Sequence, residues 1–210
     1  MTIHVLALAA LIRHCAPAVA PSTMTAIVRV ESGGNPLAIG DNTTRRSYYP
    51  HDRAAAERLA RRLLDAGHLL DVGIAQIDSM NFAGFGVTVH TIFDPCVNLS
   101  IGASILNGDY TFAAQRYGDG QVALRHAIGM YNTGRLNGGA RYIARVVAAA
   151  AIRDGYAQSS RVVAKRDAMH SPLLVRAPIT RREARSTQRK RVTPARSPIL
   201  VSNVSHVVVF

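Results

Sequence analysis

Pro21-Ser22-Thr23-Met24-Thr25-Ala26-Ile27-Val28-Arg29-Val30-Glu31-Ser32-Gly33-Gly34-Asn35-Pro36 is the stretch that decides how this chain is read. Met24, Ile27 and Val28 recur at the i, i+3, i+4 spacing of a helical stripe facing a core. Ser22, after Pro21, suits an N-cap, and Ser32-Gly33-Gly34-Asn35-Pro36 is a firm helix stop. Glu31 falls next on the same stripe, where another apolar residue is expected. A carboxyl turned toward apolar surroundings resists ionisation, because desolvation penalises the charged form. It then holds near neutral pH a proton that it can donate, and the glycines after it leave room for a ligand. The spacing serves a second reading equally well: a glutamate at a frayed helix end, turned to water.

On either side of this stretch the pattern stays helical. Apolar residues at Val5, Leu8, Ala9 and Ile12 mark a first helix over about residues 3–14, and the second runs to Glu31. A third is expected over 53–66, capped by Asp52 and stopped by Gly67. A fourth starts at Asp94-Pro95, with proline in its first turn, and reaches about residue 116. The fifth covers 121–131. The sixth covers 139–151, with Tyr142, Ile143, Val146 and Val147 on one face. Val72-Gly73-Ile74-Ala75-Gln76-Ile77 is too short and glycine-broken for a helix, and reads as a short strand or an irregular turn. The expected fold class is mainly α, with little β structure.

The 210 residues are 48% hydrophobic, enough for a packed core. The net charge of +12 is unevenly placed: residues 1–150 carry +3 and residues 151–210 carry +9. In the last segment Pro172, Pro178, Pro194 and Pro198 interrupt any element, and Arg181, Arg182, Arg185, Arg189, Lys190 and Arg191 form a basic run. Such a segment buries too little apolar surface to offset its ordering entropy. The division is therefore a folded domain over 1–155 and a basic, mostly disordered tail over 156–210, whose closing Val207-Val208-Val209-Phe210 is the one strand-like piece. The longest apolar stretch near the start, Val5 to Ile12, has eight residues, short of the roughly 18 of a membrane span. With Ala18-Val19-Ala20 it imitates a leader peptide. Yet no Lys or Arg precedes it, and its helical spacing favours a first core helix.

Four motifs in series extend the reading. Val30-Glu31-Ser32-Gly33-Gly34-Asn35-Pro36, Gly73-Ile74-Ala75-Gln76-Ile77, Ala127-Ile128-Gly129-Met130-Tyr131-Asn132-Thr133-Gly134 and Tyr142-Ile143 resemble, in order, the signature segments of the lytic transglycosylases of the goose-type lysozyme superfamily. Leu11-Ile12-Arg13-His14-Cys15-Ala16-Pro17 and Phe93-Asp94-Pro95-Cys96-Val97-Asn98-Leu99 look closer still to one branch, the peptidoglycan-cleaving component of bacterial type IV secretion systems. The resemblance covers about residues 10–148. It implies a lysozyme-like helical globule around a glycan groove, and cleavage of the β-1,4 bond between N-acetylmuramic acid and N-acetylglucosamine in peptidoglycan. Glu31 matches the family's catalytic acid/base, which protonates the leaving oxygen and then deprotonates the C6 hydroxyl that closes a 1,6-anhydro ring. One essential carboxylate suffices, in contrast to the pair of ordinary glycosidases.

By the same resemblance, Ser32 and Gln76 match polar residues near the cleaved sugars, and Tyr131 and Asn132 match a Tyr-Asn pair. A buried tyrosine hydroxyl at Tyr131 would orient the glutamate, and the amides would bind N-acetyl groups. Each also has a plainer reading: Tyr131 as a core aromatic, Gln76 as a turn residue, Asn132 as part of a helix stop. Ala75 stands where the family often has Met, which suggests a lost apolar contact with the sugar. Asp71 stands where a small polar residue is usual. It reads as a solvated loop residue or local acceptor, or as a second carboxylate that raises the Glu31 pKa further or positions a water, the latter favouring hydrolysis. Cys15 and Cys96 would pair in the family reading, suiting an oxidising periplasm; the alternative is two buried thiols.

No CxxC or HExxH spacing suggests a metal, and no cofactor is expected. The expected partners are a glycan strand and, through the tail, secretion-channel subunits. The tail lacks the interleaved aromatics of a nucleic-acid binder, so nucleic acid is not expected. A location in the periplasm follows from the resemblance, with no export route evident. Two further readings keep the fold: a hydrolytic muramidase, and a glycan-binding assembly factor of the channel.

Overall fold

The computed structural model describes residues 2–158. Helices α1 (Val5–Cys15), α2 (Pro21–Glu31), α3 (Arg53–Asp65), α4 (Pro95–Tyr117), α5 (Gln121–Thr133) and α6 (Ala140–Gln158) carry most of it. Strands β1 (Ile39–Asp41), β2 (Arg46–Tyr48), β3 (Leu70–Val72) and β4 (Ile77–Asp78) form one antiparallel sheet in the order β2-β1-β3-β4. The mainly helical class agrees with the sequence reading. The tail assigned to 156–210, with its terminal valines, lies outside the described residues apart from the end of α6. No described helix is long and apolar enough to cross a membrane.

The 23-residue α4 is the axis of the domain, about 35 Å long. The Asp94 carboxylate starts it, accepting from the backbone of Cys96 and Val97 at 2.8 and 3.0 Å. Leu99, Ile105 and Leu106 are buried along it. It packs against α5 along its length and against α1, while α2 packs against α6. A disulfide joins Cys15, the last residue of α1, to Cys96, the second of α4, with 5.1 Å between Cα atoms. In α1, Leu8, Ala9, Ile12 and Cys15 are buried, so the segment that imitates a leader is part of the core. Val5, expected on that face, is exposed.

Two boundaries and two strands differ from expectation. The cap of α2 is Ala20, without a side-chain bond, and Pro21 takes the first helical position. Proline suits that position because its missing N–H would have no helical partner anyway, so Ser22 is not the cap. Helix α6 runs to Gln158 rather than 151, since Ala148-Ala149-Ala150-Ala151 favours helix and contains no stop signal. Strands β1 and β2, three residues each, were not anticipated. At that length no alternation can be read, and their pairing comes from neighbours distant in sequence.

Candidate active site

Helix α2 delivers Glu31 at its last turn to a groove whose far wall is the sheet. Glu31, Gln76, Asp71, Gly40, Asp41, Asn42, Arg45, Arg46 and Tyr49 are among its lining residues. The hydroxyl of Tyr142, in the first turn of α6, donates a short hydrogen bond to Glu31 Oε1. Oε2 is buried without a protein partner. Burial pushes the Glu31 pKa up to about 8, against smaller lowering effects of the Tyr142 bond and the Arg145 charge. At neutral pH the group is a carboxylic acid. With Oε1 accepting from Tyr142, the proton resides on Oε2. This is the protonated carboxyl that the helical stripe foretold, at a helix end closed by packing rather than frayed.

Arg145 holds α6 to α2 by donating to the Val30 carbonyl at 3.1 Å. The Tyr142 bond favours the ionised carboxylate, so Tyr142→Phe is expected to move the Glu31 midpoint above 8. Carboxyl-carbon NMR across pH 5–10 would read the shift. An unchanged or lower midpoint would contradict the assigned bond.

The loop between β3 and β4 makes the floor, and most of the motif residues converge on its backbone. Ser32 Oγ donates to the Ile74 carbonyl at 2.7 Å and accepts from Gly34 N at 3.1 Å. Tyr131 Oη donates to the Ala75 carbonyl at 2.8 Å. Gln76 Nε2 donates to the carbonyls of Gly73 and Ala38 at 2.7 and 3.2 Å. The buried Asn98 of α4 does most. Its Nδ2 donates to the Val72 and Ile92 carbonyls at 2.8 and 3.1 Å, and its Oδ1 accepts from Ala75 N at 2.8 Å. Gly73 has φ +85, and a Cβ there would collide with the Asn98 amide. The loop is thus pinned by side chains from α2, α4 and α5, which holds Gln76 against the groove.

This alters several expectations. Tyr131 is fully buried and bonds the loop, not Glu31; the tyrosine on the glutamate is Tyr142. Ser32 bonds backbone, and Asn132, half-buried, is not among the groove-lining residues. Ala75 is fully buried, near Gly102 and Tyr131 rather than toward a ligand. Gly102 has no room for a side chain: a Cβ would lie 2.9 Å from Tyr131 Oη and 3.0 Å from Ala75 Cβ. Asp71 is not solvated; it is buried on the groove wall. Burial raises its pKa well above the ordinary carboxylate value, a hydrogen bond from Asn42 lowers it, and the charges of Asp78 and Glu31 raise it further.

Asn98 is visible within its motif, but nothing in the sequence says which backbone an asparagine amide reaches. Asn98→Ala would leave three buried backbone groups without partners, at about 3 kcal/mol or more. For a domain of this size that is a fall in melting temperature of roughly 6–12 °C, readable by calorimetry. A change under 2 °C would show that the loop does not depend on it.

Among the described residues, six buried side-chain N/O atoms lack a hydrogen-bond partner. Three of them, Glu31 Oε2, Asn42 Oδ1 and Asp71 Oδ1, belong to residues lining this one groove. Native proteins rarely leave such atoms unpartnered without a functional cause.

Known proteins resemble this chain across the residues that build this groove. The family model described as Transglycosylase SLT domain matches residues 10–149, about two thirds of the chain. Protein virB1 of Agrobacterium fabrum is 44% identical over 122 residues, 58% of this chain and 49% of that protein. Protein virB1 of Rhizobium radiobacter is 45% identical over 122 residues, 58% and 51% of the two chains. Type IV secretion system protein virB1 of Brucella abortus is 40% identical over 148 residues, 67% and 62%. The chain spans about half the length of the first two relatives. No solved structure matches it. From residue 10 to residue 149, then, the chain belongs to the transglycosylase SLT domain family.

Proposed function

We propose that this chain is a peptidoglycan lytic transglycosylase in which Glu31 is the one essential acid/base. The observation that carries the reading is the protonated Glu31 carboxyl, oriented by Tyr142 in a groove that leaves three polar atoms without protein partners. In the first step the Glu31 proton passes to the oxygen leaving C1 of N-acetylmuramic acid, and the glycosidic bond breaks. The Glu31 carboxylate then takes the proton of the C6 hydroxyl while that oxygen bonds C1. The ring closes as a 1,6-anhydro sugar, no water is consumed, and Glu31 regains its starting form. A raised pKa suits both halves: the acid is protonated at neutral pH, and its conjugate base is stronger than an ordinary carboxylate.

Gln76, through its amide oxygen, meets the sugar N-acetyl groups at the groove, and Ser32 and Tyr131 serve the site by fixing the floor loop beneath it. The catalytic unit is residues 1–155. Residues 156–210 form a separate basic tail that docks to channel subunits. Its role is to open the cell wall locally, in the periplasm, for type IV secretion or conjugation; the family supports the wall-cleaving part and the name of the Brucella relative supports the type IV secretion part.

One observation favours a hydrolytic variant: Asp71 gives the groove a second buried carboxyl with a free acceptor oxygen, where a water could be held. Mass spectrometry of peptidoglycan digested by purified protein separates the two. Anhydro-muramyl ends, lighter by one water and absent with Glu31→Gln, are expected. Reducing ends from wild type, lost with Asp71→Asn, would establish hydrolysis. No cleavage by wild type would leave the assembly-factor reading.

A further inference from the structure

The turn between β1 and β2 carries an unusual backbone conformation beside the groove. Arg45 has φ +58, in the left-handed region that non-glycine residues seldom occupy. Such strain persists only where the surroundings over-determine it, and it concentrates at functional sites. Here the surroundings do so. The buried Asp41 carboxylate accepts from Thr43 N, Thr44 N and Thr44 Oγ1 at 3.0, 3.2 and 2.6 Å, and lies 2.9 Å from His68 Nδ1. Asn42 N donates to the Leu69 carbonyl at 2.9 Å, and Leu69 N to Thr43 Oγ1 at 3.0 Å. An exposed hairpin is thereby fastened to the strand behind it.

What this fastening presents is positive charge. Arg45 and Arg46 both line the groove that holds Glu31, and Tyr49, 68% exposed, lines it beside them. Arg46 has no ion-pair partner among the described residues. The acids across the groove do not compete for it. Burial raises the Glu31 pKa to about 8 and the Asp71 pKa well above the ordinary carboxylate value, and the charge of Asp41 is met by Thr44 and His68. The groove therefore pairs a wall of buried acids, whose charge is disfavoured by burial or met locally, with a cationic rim. The sugar rings of a glycan carry no charge for that rim to meet. The anions in such a substrate are carboxylates on the side chain of the muramic sugar: the lactyl carboxylate when that chain is bare, the stem-peptide carboxylates when it is not.

We propose that Arg45 and Arg46 form a recognition site for the carboxylates borne by the muramic side chain, so that the enzyme selects strands by the charge on that side chain. This rests on the groove being the glycan site. Guanidinium–carboxylate pairing is charge-assisted and directional, and a rim preset by the hairpin loses little freedom on binding.

The test is equilibrium titration in the Glu31→Gln background, which needs no turnover, against three defined strand preparations: stem-bearing, stem-stripped with the lactyl carboxylate exposed, and stem-bearing with its carboxylates capped as amides. The comparison variant is Arg45→Asn with Arg46→Gln. Asparagine tolerates the left-handed backbone, so the hairpin is retained, and circular dichroism verifies the fold. The expected result is binding weakened roughly tenfold or more by the double change on carboxylate-bearing strands, with no change on capped ones. Retention of the effect on stripped strands assigns the lactyl carboxylate, and its loss assigns the stem. Equal affinity of capped and uncapped strands, or equal weakening on both, overturns the proposal. Cleavage by the wild-type protein is scored separately, so failure of the catalytic reading is distinct from failure of the rim.

Discussion

Glu31→Gln is expected to lower the turnover of peptidoglycan by about 10²–10⁴-fold, the usual contribution of a positioned general acid, while leaving the fold intact. Glutamine keeps the shape and the neutrality that Glu31 has at pH 7, and its carbonyl can still accept from Tyr142. What it lacks is the transferable proton. The same substitution has a pH signature in stability. The folded pKa is about 8 against an ordinary value of 4.5, so between those values the native state binds more protons than the unfolded chain. Stabilisation from the protonated form is fully present below about 4.5. It declines as pH rises through the window, with a slope on the order of 1 kcal/mol per pH unit for one proton. The glutamine variant lacks that decline. Denaturation midpoints of both proteins at pH 5, 7 and 9 are therefore expected to diverge with pH, the variant gaining relative to wild type. Wild-type kcat/KM is expected to fall above about pH 8, as the acid ionises. Parallel stability curves would show that the Glu31 carboxyl is not desolvated in the folded state.

Breaking the Cys15–Cys96 bond is the second large effect. The bond spans 81 residues of sequence, and in the chain-entropy model a loop of that size is worth about 4.5 kcal/mol. The double change to serine is expected to lower the melting temperature by roughly 9–18 °C, and reduction with a thiol should do nearly the same. The position of the bond adds a local effect: it fastens α1 to the first turn of α4, three residues before Leu99 enters the core and two before Asn98 grips the floor loop. A fall under 3 °C would show that packing of Leu8 and Ile12 alone holds α1 in place.

The sequence made Glu31 legible because a carboxylate on an apolar stripe violates the pattern that its own neighbours establish. Helix boundaries were legible for a similar local reason. The Asp52 side chain does cap α3, accepting from Ala55 N at 2.7 Å, and Asp94-Pro95 does open α4. What remained hidden depends on distance in sequence. Tyr131 and Tyr142 both sit on core faces of their helices, and their motifs are equally visible; only the crossing of α6 over α2 decides that Tyr142 reaches the glutamate. Ser32, Gln76, Asn98 and Tyr131 look alike as polar residues in motifs, and no local rule tells that their shared target is the backbone of one loop. The burial of Asp71 between β1 and β4 leaves no trace in the sequence pattern, because a three-residue strand has no readable period.

The central claim is that Glu31 carries its proton at neutral pH because the fold withholds it from water. Carboxyl-carbon NMR of the intact chain, with Glu31 assigned by loss of its signal in Glu31→Gln, measures this directly. A titration midpoint near 8 is the predicted result; a midpoint near 4.5 would contradict the account.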